Sequence, residues 1–418
     1  MGLWSAPARR GVSLVIDRPR YSGELEGVRI AHLIETSGPG GAERMVAELA
    51  REQRERGAIP TVFLPDEGEH WLESQLAGAD VGIEHFHLAS PLSPQCVRTL
   101  AMGFSRRGIT IAHSHDFTMA VNGACAARAV GIPHVITMHG GRYYAERLRR
   151  RLALRIAARS SQAVVGVSDA LSAHLCHDLH LESTRVVTIP NGVRRRLGTR
   201  SPLHDELKLG PEARVILAVG NLYVVKGHRV LLEALSTLPA HLHLVIAGRG
   251  EEERVLRDRA EELGVSSRLH LLGLRDDIPG LLLAADVFVQ PSLDEGLPLA
   301  VLEAMFAGRA IVATDVGDIR RAVGGDEAAV LVAPGDSAAL SHAIGRLIAE
   351  PDRAKALGMR ARVRADEGYS LSTMVDRYSA LYAPLRAVGR AVTAWRPTPT
   401  AAVQRSSRMN TSANTDAG

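Results

Sequence analysis

Short apolar, β-branched runs alternate with helical patterns along most of this 418-residue chain, and that alternation constrains its fold more than any other feature. The runs fall at residues 28–36, 59–64, 81–88, 109–113, 134–138, 163–167 and 185–189. A second series falls at 214–219, 242–247, 269–272, 286–289, 310–314 and 330–332. Strands buried on both faces read as continuous apolar runs, and a helix between successive strands brings the chain back to pair in parallel. The fold class expected is α/β, with parallel sheets.

The length exceeds the roughly 250–300 residues at which a single core stops growing. A composition of 46% hydrophobic and 23% charged residues supplies two cores. The break falls in the polar stretch after Val193, which carries Gly198 and Pro202 and leads into a new strand. The domains expected are 28–195 and 213–370, joined by a linker at 196–212 and followed by a helix within 371–390. Residues 1–27 and 391–418 lack periodicity, and the Pro-, Ser- and Thr-rich tail reads as disordered.

A formal net charge of +4, from 50 basic and 46 acidic residues, argues against a dedicated nucleic-acid binder. The basic excess is uneven: seven arginines lie between Arg142 and Arg159 against the single acid Glu146. That stretch reads first as a solvated helix face over buried Leu148, Leu152, Leu154 and Ile156, and second as a patch for a lipid surface. Three widely spaced cysteines, Cys96, Cys125 and Cys176, fit reduced thiols better than a disulfide framework. No apolar run approaches the ~20 residues that span a bilayer. A cytoplasmic protein is expected, with peripheral contact at the inner membrane face as an option.

Glu295 and Glu303 are the most informative side chains. Glu295 lies in a Gly/Pro loop after the strand at 286–289, and Glu303 lies about 1.5 turns into an apolar helix that Pro298 can open. Both acids should sit at the carboxyl end of a sheet, where open α/β folds bind ligands. Carboxylates there accept sugar and ribose hydroxyls, and the helix start beside them suits a phosphate. The bland alternative is a helix-dipole acid followed by a solvated one. Lys226, after the first strand of the second half, can neutralise charge on a departing diphosphate. Gly40 and Gly41 open a helix after the first strand, where bare backbone N–H groups can approach a ligand.

Glu295-Gly296-Leu297-Pro298-Leu299, with Glu303-Ala-Met after the spacer, resembles the signature of retaining GT-B glycosyltransferases of the family-four, or group 1, type. Pro190-Asn-Gly-Val193, Lys226 and Gly248-Arg-Gly-Glu251 follow in the family's order, so the resemblance runs over most of the chain. It implies two Rossmann-like domains facing across a cleft, with a last helix (here 372–386) crossing back to the first domain. It implies a nucleotide diphosphate sugar as donor, no other cofactor and no metal; no Asp-x-Asp occurs. By the same resemblance His139 contacts the transferred sugar, Glu295 holds its hydroxyls and Glu303 the ribose. Gly296, Leu297, Pro298 and Leu299 form the phosphate cradle, with Gly40 and Gly41 facing it. Gly248, Gly250 and Glu251 border the nucleotide and Leu274 its base. His113, His115 and Arg142 fall on the acceptor side, for a glycan, lipid-linked or small-molecule acceptor. Asn221 stands where the family usually carries Arg, which leaves Lys226 as the main fixed cation, with Arg249 as a candidate to compensate. The rival readings are a GT-B nucleotide-sugar 2-epimerase or phosphorylase, a metallohydrolase built on His113, His115 and Asp116, and an idle nucleotide-sugar-binding scaffold.

Overall fold

The computed structural model of the protein describes residues 25–386 except 89, 91, 141–143 and 197. The sequence expectations for residues 1–24 and 387–418, and for Arg142, lie outside the described residues. The first sheet holds β1 (Arg29–Leu33), β2 (Ile59–Pro65), β3 (Gly82–Phe86), β4 (Ile111–Ser114), β5 (His134–Met138), β6 (Ala163–Gly166) and β7 (Val186–Thr188). Their order is β3-β2-β1-β4-β5-β6-β7, and every pairing is parallel. The second sheet holds β8 (Arg214–Val219), β9 (Leu242–Ala247), β10 (Leu269–Leu271), β11 (Val287–Gln290), β12 (Ala310–Thr314) and β13 (Val330–Val332). It is also wholly parallel, in the order β10-β9-β8-β11-β12-β13. Each strand coincides with one of the apolar runs.

Helices fill the crossovers. In the first domain they are α1 (Gly41–Glu55), α2 (Trp71–Leu76), α3 (Pro94–Arg107), α4 (Phe117–Val130), α5 (Leu148–Ser160) and α6 (Asp169–Leu179). The second domain has α7 (Leu203–Glu206), α8 (His228–Thr237), α9 (Glu253–Glu262), α10 (Ile278–Ala284), α11 (Leu299–Phe306), α12 (Ile319–Val323), α13 (Ser337–Ala349) and α14 (Pro351–Gly368), and α15 (Leu371–Tyr382) follows it. Strand interiors such as Ile30, Val62 and Ile111 in one sheet, and Leu217, Phe288 and Ile311 in the other, are fully buried. Each such side chain contributes about 1.5–3 kcal/mol by leaving water.

The chain reverses winding direction between β1 and β4 in one sheet and between β8 and β11 in the other. These are the two crevices in which open α/β sheets present ligand loops. The polar connection is less free than its composition implies: Leu203 is fully buried in the second core, beside Val193. Val193 also pairs with Ser370, and from there α15 places Leu371, Met374, Val375, Tyr378 and Tyr382 in the core of the first domain.

α5 departs from the sequence expectation. Of the four aliphatic residues expected to be buried, Leu154 is, whereas Leu148, Leu152 and Ile156 are 73%, 53% and 62% exposed. Ala157 and Ala158 turn inward with Leu154 instead. The solvent face of α5 is therefore an aliphatic stripe at i, i+4 and i+8, with exposed Arg149 and Arg159 beside it.

Candidate active site

The loops at the carboxyl ends of β1, β5, β8, β9, β10 and β11 meet around one cleft of about 1110 Å³. Gly40, Gly41, His139, Asn221, Lys226, Gly248, Gly250, Glu251, Leu274, Glu295, Leu297, Pro298, Leu299 and Glu303 all line it.

The loop between β11 and α11 supplies its floor. Pro298 is the residue that caps α11, with φ −66° and ψ 129°, and not the first helical residue expected; the helix begins at Leu299. The first-turn amides of α11 consequently open toward the cleft without helical acceptors. Three positions earlier, a Glu295 carboxylate oxygen accepts from the Lys226 ammonium at 2.5 Å and from the Ser292 hydroxyl at 2.8 Å. The other Glu295 oxygen remains an acceptor for a hydroxyl. Gly296 allows this loop to touch the opposite domain: a β-carbon there would stand 2.9 Å from the His139 carbonyl oxygen. Asn191 fixes the loop from the first domain by donating to the Leu297 carbonyl at 3.1 Å. The Pro-Asn-Gly-Val motif thus has a positioning contact that turn propensity alone does not reveal.

Glu303 faces Arg44 of α1, whose guanidinium lies 3.2 Å from one carboxylate oxygen. Burial pushes its pKa up, while Arg44 and then Arg196 pull it down. Neither arginine stood out in the sequence: the Arg44–Glu303 pair joins helices of different domains, and Arg196 lies in the linker. α1 itself starts at Gly41, so the glycine loop is its cap and first turn. Within that turn Glu43 accepts from the Thr36 hydroxyl, and burial raises its pKa.

Asn221 donates to the Pro39 carbonyl at 3.2 Å, tying the second domain to the glycine loop. Arg249 pairs with Glu69 across the same cleft. Gly248 is required where it stands, since a β-carbon would fall 1.9 Å from the Gly220 carbonyl oxygen.

His113 and His115 do not form a cleft edge. Both are buried, and neither lines the cleft. His113 bonds Thr137 and Tyr382, each at 2.7 Å, and His115 bonds His32 at 2.9 Å and His139 at 3.3 Å. β4 is a central strand, so residues at its end meet neighbouring strands and α15 before they meet solvent. Nitrogens of His32, His113 and His115 approach within 4.8 Å of one another. All six ring nitrogens are nevertheless engaged by protein partners. Asp116 caps α4 through the Met119 amide at 2.6 Å and also accepts from the Glu35 amide. The histidine–aspartate stretch therefore builds the wall behind His139 and offers no open ligand set.

Two family profiles match the chain in succession: Glycosyltransferase Family 4 over residues 39–196, and Glycosyl transferases group 1 over residues 200–364. The chain belongs to the group 1 glycosyltransferases of GT-B fold. This glycosyltransferase is 27% identical over 307 residues to the alpha-maltose-1-phosphate synthase of Mycolicibacterium smegmatis, covering 65% of this chain and 78% of that protein. It is 27% identical over 292 residues to the UDP-Gal:alpha-D-GlcNAc-diphosphoundecaprenol alpha-1,3-galactosyltransferase of Escherichia coli, covering 65% and 74%. Its fold matches the crystal structure of Anabaena HepE in complex with UDP and glucose, with a TM-score of 0.75 at 22% identity over 85% of this chain and 99% of that one. The enzyme's two parallel-sheet domains and the helix returning to the first are the GT-B arrangement.

Proposed function

We propose that this glycosyltransferase moves a sugar from a nucleotide diphosphate sugar to an acceptor hydroxyl, with retention of anomeric configuration and without a metal ion. The observation that carries the reading is the Lys226–Glu295 pair, held beside the His139–Gly140 loop of the other domain through Gly296. A cation, a hydroxyl acceptor and a histidine thus line the same cleft. Lys226 and the first-turn amides of α11 neutralise the diphosphate as the anomeric C–O bond breaks. Glu295 holds hydroxyls of the transferred sugar, and Glu303 accepts from the ribose with the oxygen that Arg44 leaves free. Leu274, 46% exposed, offers an apolar seat for the base. The acceptor oxygen attacks from the face the diphosphate leaves. The acceptor's proton passes to a departing phosphate oxygen, so the nucleotide diphosphate carries it away.

The E. coli relative is a UDP-Gal-dependent galactosyltransferase and HepE was crystallised with UDP and glucose, which supports the donor class. The epimerase and scaffold readings have no such support. The test is the anomeric proton of the product in ¹H NMR: the donor's own configuration fits front-face displacement, and the opposite one overturns it.

The acceptor in this reading is a glycan or a lipid-linked sugar met at the cytoplasmic membrane face. Among the described residues no helix is long and apolar enough to cross a membrane. α5 instead offers exposed Leu148, Leu152 and Ile156 flanked by arginines, the pattern of a helix lying on an anionic lipid surface. It directly follows the His139 loop, so a docked α5 would bring the acceptor side of the cleft to the membrane.

A further inference from the structure

A row of three imidazoles runs from the core of the first domain to the cleft. Gln53 Oε1 lies 2.7 Å from His32 Nε2, His32 Nδ1 lies 2.9 Å from His115 Nε2, and His115 Nδ1 lies 3.3 Å from His139 Nε2. Gln53, His32 and His115 are at most 1% exposed. No part of the proposed reaction uses them, and a buried polar chain is costly unless each member is satisfied.

We infer that Gln53, through His32 and His115, sets the tautomer of His139 and so makes its Nδ1 a hydrogen-bond acceptor toward the transferred sugar. The inference rests on the placement of His139 against that sugar. An amide oxygen only accepts, so His32 carries its proton on Nε2 and accepts at Nδ1. His115 must then donate from Nε2 and accept at Nδ1, and His139 must donate from Nε2. Its Nδ1 is left bare. Burial brings His32 and His139 down to about 4 and His115 well below its ordinary range, so the row stays neutral at pH 7. The direction of the row follows the placement of the Gln53 amide. Its buried nitrogen has no hydrogen-bond partner; the flipped amide would donate to His32 and reverse the row, and a His139 protonated on Nδ1 is the signature of that reversal. Because the row ends on a neutral amide, it has no sink for a proton. Gln53, His32 and His115 are positioning residues, and His139 acts as an acceptor and not as a base.

The test is long-range ¹H–¹⁵N NMR on the full chain labelled in histidine, with the His139 signal assigned from His139→Gln. The expected result is one His139 tautomer, protonated on Nε2. Gln53→Met should mix the tautomers and lower kcat roughly tenfold, as loss of an outer-shell partner does, with the donor KM little changed. Gln53→Glu restores an acceptor oxygen and should keep the Nε2–H form and recover kcat. A wild-type His139 protonated on Nδ1, or a tautomer unmoved by Gln53→Met, would overturn the inference. If Gln53→Met does not fold, the wild-type tautomer and Gln53→Glu still decide it. The tautomer is read without substrate, so a protein inactive toward every donor yet holding Nε2–H sinks the transferase reading alone.

Discussion

The Lys226 ammonium lies 2.5 Å from a Glu295 carboxylate oxygen, joining two residues 69 positions apart at the centre of the cleft. Their side chains are only 23% and 11% exposed, so solvent screens the pair weakly. Glu295 thereby fixes the one lysine that the proposed mechanism uses.

Lys226→Ala should lower kcat by roughly a hundredfold to a thousandfold, about 2.7–4 kcal/mol of transition-state stabilisation. Glu295→Ala should be similarly harmful, because it removes a sugar contact and releases the lysine. Nucleotide release under saturating donor measures both, and a kcat within threefold of wild type would exclude the assigned roles.

Asn221→Arg should tighten nucleotide binding. It returns a cation to the diphosphate end while giving up the Asn221–Pro39 bond. A gain of up to about tenfold in Kd, or about 1.4 kcal/mol, is expected by calorimetry. Weaker binding would mean that the tie to the glycine loop matters more than the missing charge.

Little of this wiring was legible in the sequence, although the framework was. Among the described residues, apolar runs located all thirteen strands, because parallel strands buried on both faces write their burial directly into composition. The spacing of Lys226, Glu295 and Glu303 was visible because all three follow strand ends. His113 and His115 were misplaced because their surroundings come from elsewhere: His32 lies on the neighbouring strand β1, in register with His113, and Tyr382 arrives 269 residues after His113. Arg44 escaped notice for the same reason, since its partner Glu303 belongs to the other domain. Leu148, Leu152 and Ile156 were assigned inward because helix periodicity gives the spacing of a face but not which way it points.

Leu148→Gln, Leu152→Gln and Ile156→Gln combined should abolish co-flotation with vesicles containing anionic lipid, while transfer to a water-soluble acceptor is preserved. The stripe lies away from the cleft lining, so the two readouts separate. Flotation unchanged by the triple substitution would remove α5 as the docking surface.

His134 is buried between Ser114 and Ser161, and desolvation lowers its pKa to about 3 from 6.5. Between those values the unfolded chain binds more protons at this site than the folded one, so the group's contribution to stability falls as pH drops from about 6.5 toward 3. His134→Gln should therefore flatten the pH dependence of the urea midpoint between pH 6.5 and 5 relative to wild type. Parallel slopes would show that His134 is not held neutral by the fold.

Metal-independent transfer from a nucleotide sugar is tested by nucleotide release by the purified protein from UDP-, GDP-, ADP- and dTDP-sugars in the presence of EDTA, with Glu295→Ala and His139→Ala alongside. Turnover of one donor is expected, undiminished by the chelator and abolished by both substitutions. Silence across the donors, with no binding of any by calorimetry, would contradict it.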